Sequence, residues 1–579
     1  MRIVWVQPFW CLLNISLMLG VSVTISCDRV LAQIPEPIRP QEQPFPFPLP
    51  PKPPVPIPIP QPALEPPLQL PTPTVPSPKE RLGIPGTITV TRFEFAGNTA
   101  FSDEKLTQVT APFTNRPITF AEMLQAEAAV TKLYTDEGYI NSGAVIPAEQ
   151  TFPREGAVVK IQVIEGGVEE IRVTVDGRLN PDYVRSRLAL ATDRPLNQNR
   201  LLEALQVLQL NPLIQNISAD LSAGSRPQLS VLSVNVKEAV TSNVELFADN
   251  GRVKSIGSFE RGVRFNQGNL SGFGDGLNVE YANTDGSNAV YANYTIPINP
   301  YNGTIKLSGQ FNNTQVVEAP FNQLDITGDS RYYDLTFRQP VKQTPAQELA
   351  LGLTAAHEES KTTLLGVGFP LSPGANNEGQ TEVSALRFFQ DWTQRSSQDV
   401  LALRSQFSLG LGGSGATTPN GQFFDWLGQG QYVRLLAPDT LLVLRSSFQL
   451  STNPLVPLEQ FALGGLYSVR GYRQDLLLTD NGVFASAEVR LPILRVDSVK
   501  GLLQVAPFLD FGVGWNDDRN PIPTPNPNTL VSLGLGLQWQ MGDNFNARLD
   551  WGIPLTQFEV GGRTLEQQGL YFTLNYRLN

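Results

Sequence analysis

The sequence predicts a mainly β protein: a 16-stranded transmembrane β-barrel preceded by two α+β units. Three observations predict it. Hydrophobic residues make up 41% of the 579, yet beyond the N-terminal segment no apolar run is long enough for a membrane-crossing helix, so any span has to be built of strands. From about residue 241 onward, segments of roughly ten residues alternate apolar with polar or small side chains, separated by turns rich in Gly, Asn, Asp and Pro. Between residues 84 and 240, two stretches repeat each other.

The elements follow in order. Residues 1–32 carry a charged start at Arg2, an apolar body from about Leu12 to Ile25, and Val30-Leu31-Ala32 before Gln33, the pattern of a cleaved secretory signal. Both cysteines, Cys11 and Cys27, fall inside it, so no disulfide is expected in the exported chain. Thr24 makes Cys27 a poor lipidation site. Residues 33–80 form a proline-rich linker, expected to be an extended, passive spacer without a core. The formal net charge of −11 argues against a nucleic-acid partner, which would want a basic face.

The first repeat, 84–167, contains Phe93-Glu94-Phe95-Ala96-Gly97 and then Arg116-Pro117-Ile118-Thr119. The second, 168–240, contains Val173-Thr174-Val175-Asp176-Gly177 and then Arg194-Pro195-Leu196-Asn197. Thr119 and Glu122 spell a capping box, Ala126, Val130, Leu133 and Tyr134 an apolar stripe, and Gly138 a helix stop. In the second unit Asn197 is the cap and Leu201, Leu205 and Leu208 the stripe. With strands at Val158–Ile164 and Leu229–Val236, each unit reads strand, helix, helix, strand, strand. Together with Tyr134, Gly138 and Tyr139, this order resembles POTRA domains, periplasmic modules that offer a sheet edge to an unfolded client. The apolar stripes are expected to be core, leaving the sheet edge as the functional surface.

In the barrel region, 241–579, about sixteen strands can be placed, an even number as a single-chain bacterial barrel requires. Val531, Leu533, Leu535, Leu537 and Trp539 fall on a lipid face, and Ser532, Gly534, Gly536 and Gln538 on a luminal one. A glycine-rich loop at about 453–481 falls between the eleventh and twelfth strands. On the thirteenth, Gln504, Ala506, Phe508, Asp510, Gly512 and Gly514 share one face and Val505 to Trp515 the other. An arginine on that loop, Arg470, and an aspartate on the polar wall, Asp510, suggest a buried ion pair inside a polar lumen, with glycines letting backbones approach.

Gly464-Gly465, Ser468-Val469-Arg470-Gly471-Tyr472 and the spacing of Phe508, Asp510 and Gly512 resemble the signature of the outer-membrane barrel superfamily that includes BamA-like assembly factors and two-partner-secretion transporters. The resemblance implies a loop folded back into the barrel, Val469, Arg470, Gly471 and Tyr472 forming its motif and Phe508, Asp510 and Gly512 the partner motif on the wall. Tyr472 and Phe508 would pack around the ion pair, with Gly471 and Gly512 leaving room for it. Two POTRA-like units after a proline-rich lead favour the two-partner-secretion group of ShlB, FhaC and HecB. That implies an outer-membrane pore that secretes, with or without activating, a large β-helical exoprotein of the hemolysin or adhesin type, using no ATP. The implied partners are an unfolded client protein, outer-membrane lipid, and the barrel assembly machinery for the chain's own insertion. An insertase or import channel like BamA, and a passive porin, are the alternatives. Asn579 departs from the aromatic residue on which members commonly end.

No enzyme, cofactor or metal site is expected. Gly410-Leu411-Gly412-Gly413-Ser414-Gly415 fits a dinucleotide fingerprint, but Thr417, Thr418 and Pro419 follow where a helix should begin, so it reads as a hairpin loop. His357 is the one histidine, and no G-x-S-x-G elbow occurs. Glu245, Asp249 and Glu488 alternate toward the lumen, where a solvated pore lining is expected.

Overall fold

The computed structural model describes residues 67–69, 86–153, 156–226, 228–413, 418–558 and 564–578. The expected signal segment and most of the linker lie outside them. Each of the two α+β units is a small sheet covered by two helices. In the first, Thr87–Ala96 runs parallel to Ala157–Ile164, which also pairs with the three-residue strand Gly143–Val145. Helices α1 (Asp103–Thr110) and α2 (Phe120–Asp136) lie against them. The Thr119–Glu122 capping box forms reciprocally, satisfying N–H groups that the first turn leaves unpaired. Met123, Ala126, Val130 and Tyr134 of α2 are buried against Val159, Ile161 and Val163.

The second unit repeats the plan with Gly167–Asp176 parallel to Leu229–Glu238, and Ile214–Ala223 antiparallel to it. Helices α3 (Pro181–Ala189) and α4 (Gln198–Gln209) cover one face, α4 capped by the Asn197 side chain. Leu201, Leu205 and Leu208 sit in this unit's own core, as a stripe every three or four residues requires. The linker is not wholly a passive tether: Leu68–Gln69 pairs with Ile214–Ala223 as an outer strand. Main-chain pairing needs no apolar periodicity, which is why the composition did not reveal it.

Sixteen antiparallel strands close the barrel, the last, Leu570–Leu578, pairing with the first, Ser242–Asp249. A two-residue strand, Val367–Gly368, only extends the hairpin after the seventh. Side chains alternate as the pleat demands: Leu533, Leu535 and Leu537 are exposed on the outer wall, whereas Ser532 and Gln538 are buried inside. No described helix is long and apolar enough to cross a membrane.

The second unit docks on the rim from which the first strand departs. Asn180 N–H donates to Gly272 O at 2.8 Å, Arg187 Nε donates to Asn302 Oδ1 at 2.6 Å, and Asn269 Nδ2 donates to Glu238 Oε1 at 2.6 Å. Those contacts put the second unit on the side of the short turns, the side that the resemblance implies is periplasmic. The loop between strands eleven (Thr440–Ser451) and twelve (Asn481–Val496) therefore starts from the opposite rim.

Candidate functional site

This loop enters the lumen as a hairpin. Phe461–Leu463 pairs with Leu477–Thr479, and Gly464 and Gly465, at φ +105° and +95°, turn the chain beyond it. Both lie in backbone territory that favours glycine, and a Cβ on Gly464 would stand 2.5 Å from Arg473 O. The Ser468 hydroxyl accepts from Gly464 N at 2.8 Å and donates to Gly464 O at 3.0 Å, closing the turn that presents Val469 and Arg470. Val469 is buried with Leu463, Tyr472, Leu477, Phe484 and Leu530, an apolar plug that fixes the tip against the wall.

Arg470 is 2% exposed and Asp510 is fully buried. The guanidinium grips the carboxylate with two bonds, Nε to Oδ2 at 2.8 Å and Nη2 to Oδ1 at 3.0 Å, and the Arg470 backbone N–H adds a third at 3.1 Å. A planar fork meeting a planar carboxylate gives direction as well as attraction, which an ammonium could not. Nη1 reaches Glu488 Oε2 at 2.8 Å and Asp550 Oδ1 at 3.4 Å. The ring of Phe508 lies 3.4 Å from the guanidinium carbon.

The pair is one part of a larger network. Arg548 spans Glu488 (2.6 and 2.9 Å) and Asp550 (2.7 and 2.8 Å), Arg490 donates to Glu488 Oε1 at 2.8 Å, and Ser486 Oγ donates to Asp510 Oδ1 at 2.6 Å. Arg470, Arg490 and Arg548 thus interleave with Asp510, Glu488 and Asp550, so that each carboxylate has an arginine partner in a place where an unpaired ion would be costly. The expectation that Glu245, Asp249 and Glu488 line a solvated pore fails for Asp249 and Glu488, while Glu245 stays partly exposed on the wall. Glu488 and Asp249 are buried, Glu245 pairs with Arg264 at 2.7 Å, and Asp249 accepts from Gly251 N at 2.8 Å. Alternation tells which side of the wall a carboxylate takes, not what fills the lumen beside it.

Tyr472 turns away from the ion pair. Its hydroxyl donates to Val531 O at 2.7 Å and accepts from Thr556 N at 3.0 Å, bridging the outer ends of the fourteenth and fifteenth strands. Gly471, at φ +100°, lies against Gly552 of the fifteenth strand, where a Cβ would be 3.1 Å from the Gly552 carbonyl. Gly512 makes room for the plug rather than for the arginine, since a Cβ there would be 2.8 Å from Val469 Cγ2. Tyr571 of the last strand, invisible to motif reading, accepts from Gly471 N at 3.0 Å and donates to the Tyr472 carbonyl.

Two further ties hold the base of the loop. Glu459 forms an ion pair with the buried Arg387 of the eighth strand. Asp480 accepts from Leu455 N at 2.8 Å, Asp517 N at 2.9 Å and Asn520 Nδ2 at 2.9 Å. Gly410, Leu411 and Gly412 end the ninth strand and the tenth begins at Gln422, with Ser414, Gly415 and Thr417 outside the described residues. Among the described residues no group of three or more His, Cys, Asp or Glu side chains is arranged to hold a metal ion. Chemically, the arrangement anchors one segment inside a tube.

Comparison with known proteins places this geometry in context. Residues 228–539 match the model of the haemolysin secretion/activation proteins ShlB/FhaC/HecB, and residues 88–166 that of the ShlB-type POTRA domain. The outer membrane transporter CdiB of Dickeya dadantii (strain 3937) is 22% identical over 428 residues, 70% of this chain and 74% of the relative. The heme/hemopexin transporter protein HuxB of Haemophilus influenzae (strain 86-028NP) is 20% identical over 71% of this chain and 73% of its own length. Among solved structures, CdiB from Escherichia coli superposes with a TM-score of 0.67 at 20% identity, covering 88% of this chain and 94% of that one.

Proposed function

The chain belongs to the haemolysin secretion/activation family of ShlB, FhaC and HecB, outer-membrane transporters whose POTRA domains lie in the periplasm, and from that premise we propose that it exports one large β-helical exoprotein of the hemolysin or adhesin type. Residues 84–167 and 168–240 act as the two POTRA domains, and 241–579 as the pore. The client enters unfolded, is engaged through a POTRA sheet edge by main-chain hydrogen bonds, and passes along the lumen. Neither ATP nor a proton gradient is at hand in that membrane, so the client's own folding outside supplies the drive. Val469, Arg470, Gly471 and Tyr472, seated against Phe508, Asp510 and Gly512, hold the loop that the client must pass.

The observation that carries this reading is the ion-pair network around Arg470, buried in a lumen that a passive pore would leave to water. The test is co-expression with the product of a neighbouring reading frame for a large, repetitive secreted protein. Export that requires this chain supports the reading. General failure of other outer-membrane proteins to assemble in its absence favours an insertase, and conductance unaltered by deleting residues 464–480 favours a porin.

A further inference from the structure

Apart from Arg495, which pairs with Asp439 at the rim, strands eleven to fifteen present six ionisable side chains to the lumen: Arg445, Glu488, Arg490, Asp510, Arg548 and Asp550. That wall by itself carries three cations and three anions. The loop brings Arg470 as a fourth cation, so with the loop seated one arginine goes without a carboxylate. Arg445 is that residue. Its neighbours on strand eleven fix its direction, Leu444 being exposed on the outer face while Val443 and Gln449 are buried inside. Its guanidinium carbon lies 5.7 Å from the centre of the Phe484 ring, and among the described residues it forms no ion pair and no hydrogen bond.

The register places Arg445 opposite Ser486, and Ser486 opposite Asp510, so the three share one row on the inner face of strands eleven, twelve and thirteen. Two strand spacings are about 10 Å, a gap that an extended arginine and an aspartate close from either side when nothing bulky stands between them. Ser486 is small, and its hydroxyl already donates to Asp510 Oδ1 at 2.6 Å. The loop is what keeps Arg445 away. Arg470 occupies both Asp510 oxygens, and Phe484, beside Arg445, is packed under Leu463 and Val469 of the loop. Arg490 and Arg548 are engaged by Glu488 and Asp550, so departure of Arg470 leaves Asp510 as the anion short of a cation.

We propose that Arg445 is the reserve partner of Asp510: when the loop withdraws to let the client pass, Arg445 swings across Ser486 and takes the carboxylate that Arg470 releases. This rests on the export reading above and supplies a positioning residue for it. The exchange leaves no carboxylate bare in either state, which removes the main electrostatic cost of withdrawing the loop. On its return Arg470 adds a backbone N–H to its fork and displaces Arg445 again. The loop is thereby both firmly seated and releasable.

The experiment uses the full-length protein in detergent and in cells. In the intact chain Arg445→Ala should change the rate of barrel unfolding in urea by less than about twofold, because Arg445 has no partner there to lose; in the Arg470→Ala background it should raise that rate about tenfold or more. Asp510→Asn should abolish this difference between backgrounds, and Arg445→Lys, which keeps the charge, should be much milder than Arg445→Ala. With Arg470 present, Arg445→Ala should still slow client export several-fold. Equal effects of Arg445→Ala on unfolding in the two backgrounds overturn the exchange. So does failure of Arg470→Ala to assemble when Arg470→Ala with Asp510→Asn assembles, since Arg445 would then not be reaching Asp510. If neither assembles, the deletion of 464–480 serves as the background for the same comparison. Normal export by Arg445→Ala overturns its part in loop release. Absence of export by the parent overturns the pore reading, and the unfolding rates, which need no client, then judge the exchange alone.

Discussion

Phe508 lies flat beneath Arg470, 3.4 Å from ring centre to guanidinium carbon, so the arginine's face is taken by an aromatic ring while its edge is shared among Asp510, Glu488 and Asp550. Cation, ring and carboxylates use different parts of one planar group, and water has no open side from which to compete.

Removing one partner of this pair strands the other. Arg470→Ala leaves Asp510 without its bidentate donor and Asp510→Ala leaves Arg470 with weaker partners, each costing up to roughly 3–5 kcal/mol of loop anchoring. The barrel should still assemble while client export drops sharply. The double variant should be little worse than either single one, because coupled residues do not add. Export measured in a double-mutant cycle checks this, and simple additivity would show that the two act independently. Arg470→Lys should behave nearly as badly as Ala, since an ammonium cannot reproduce the fork.

Gly552 is the floor on which the loop tip rests. A Cβ there would stand 2.6 Å from Gly471 N, and backbone cannot yield as a flexible side chain does. Gly552→Ala should lift residues 470–472 off the fifteenth strand while leaving barrel content by circular dichroism unchanged. Protease access to the loop should rise, and in planar bilayers the conductance should grow or become unsteady.

Tyr571→Phe removes one hydroxyl and two bonds, those to Gly471 N and the Tyr472 carbonyl. Leaving two buried backbone groups unpaired should cost about 1–3 kcal/mol. The loss should appear as faster amide exchange at 471–473 with little change in the periplasmic units.

Glu165, between the two periplasmic units, gives a pH dependence. Burial pushes its carboxyl up, but hydrogen bonds from Thr99, Ala100 and Tyr134 outweigh burial and hold it below the ordinary glutamate value of 4.5. Thr99 N–H donates at 2.6 Å, Ala100 N–H at 2.8 Å and Tyr134 Oη at 2.9 Å. A carboxyl lowered on folding adds stability that is fully present above the ordinary value and is lost as pH falls through the lower folded value. Protection of the first unit against exchange should therefore decline on acidification through and below that range. Glu165→Gln should be less protected at neutral pH and flat across the same window.

The sequence by itself determined the architecture. A side-chain period of two, the absence of a membrane-length helix and the tandem repeat at 84–240 left few ways to cross a bilayer, and the glycines of 464–472 marked where the chain turns inward. It also put Arg470 on the loop and Asp510 on the inner face of the wall. Tertiary structure decided what those two residues meet. Glu488, Arg490, Arg548, Asp550 and Tyr571 lie up to 101 positions away along the chain from Arg470, and alternation assigns each a side of the wall but not a height. Height comes from the stagger of strands around the closed barrel, a property of the whole ring. The same reason explains Tyr472, whose hydroxyl finds strand ends at Val531 and Thr556 that no local pattern brings together. It also explains Pro67–Gln69, which pairs through main-chain groups that every sequence possesses, so only the folded sheet edge could say where it would lie.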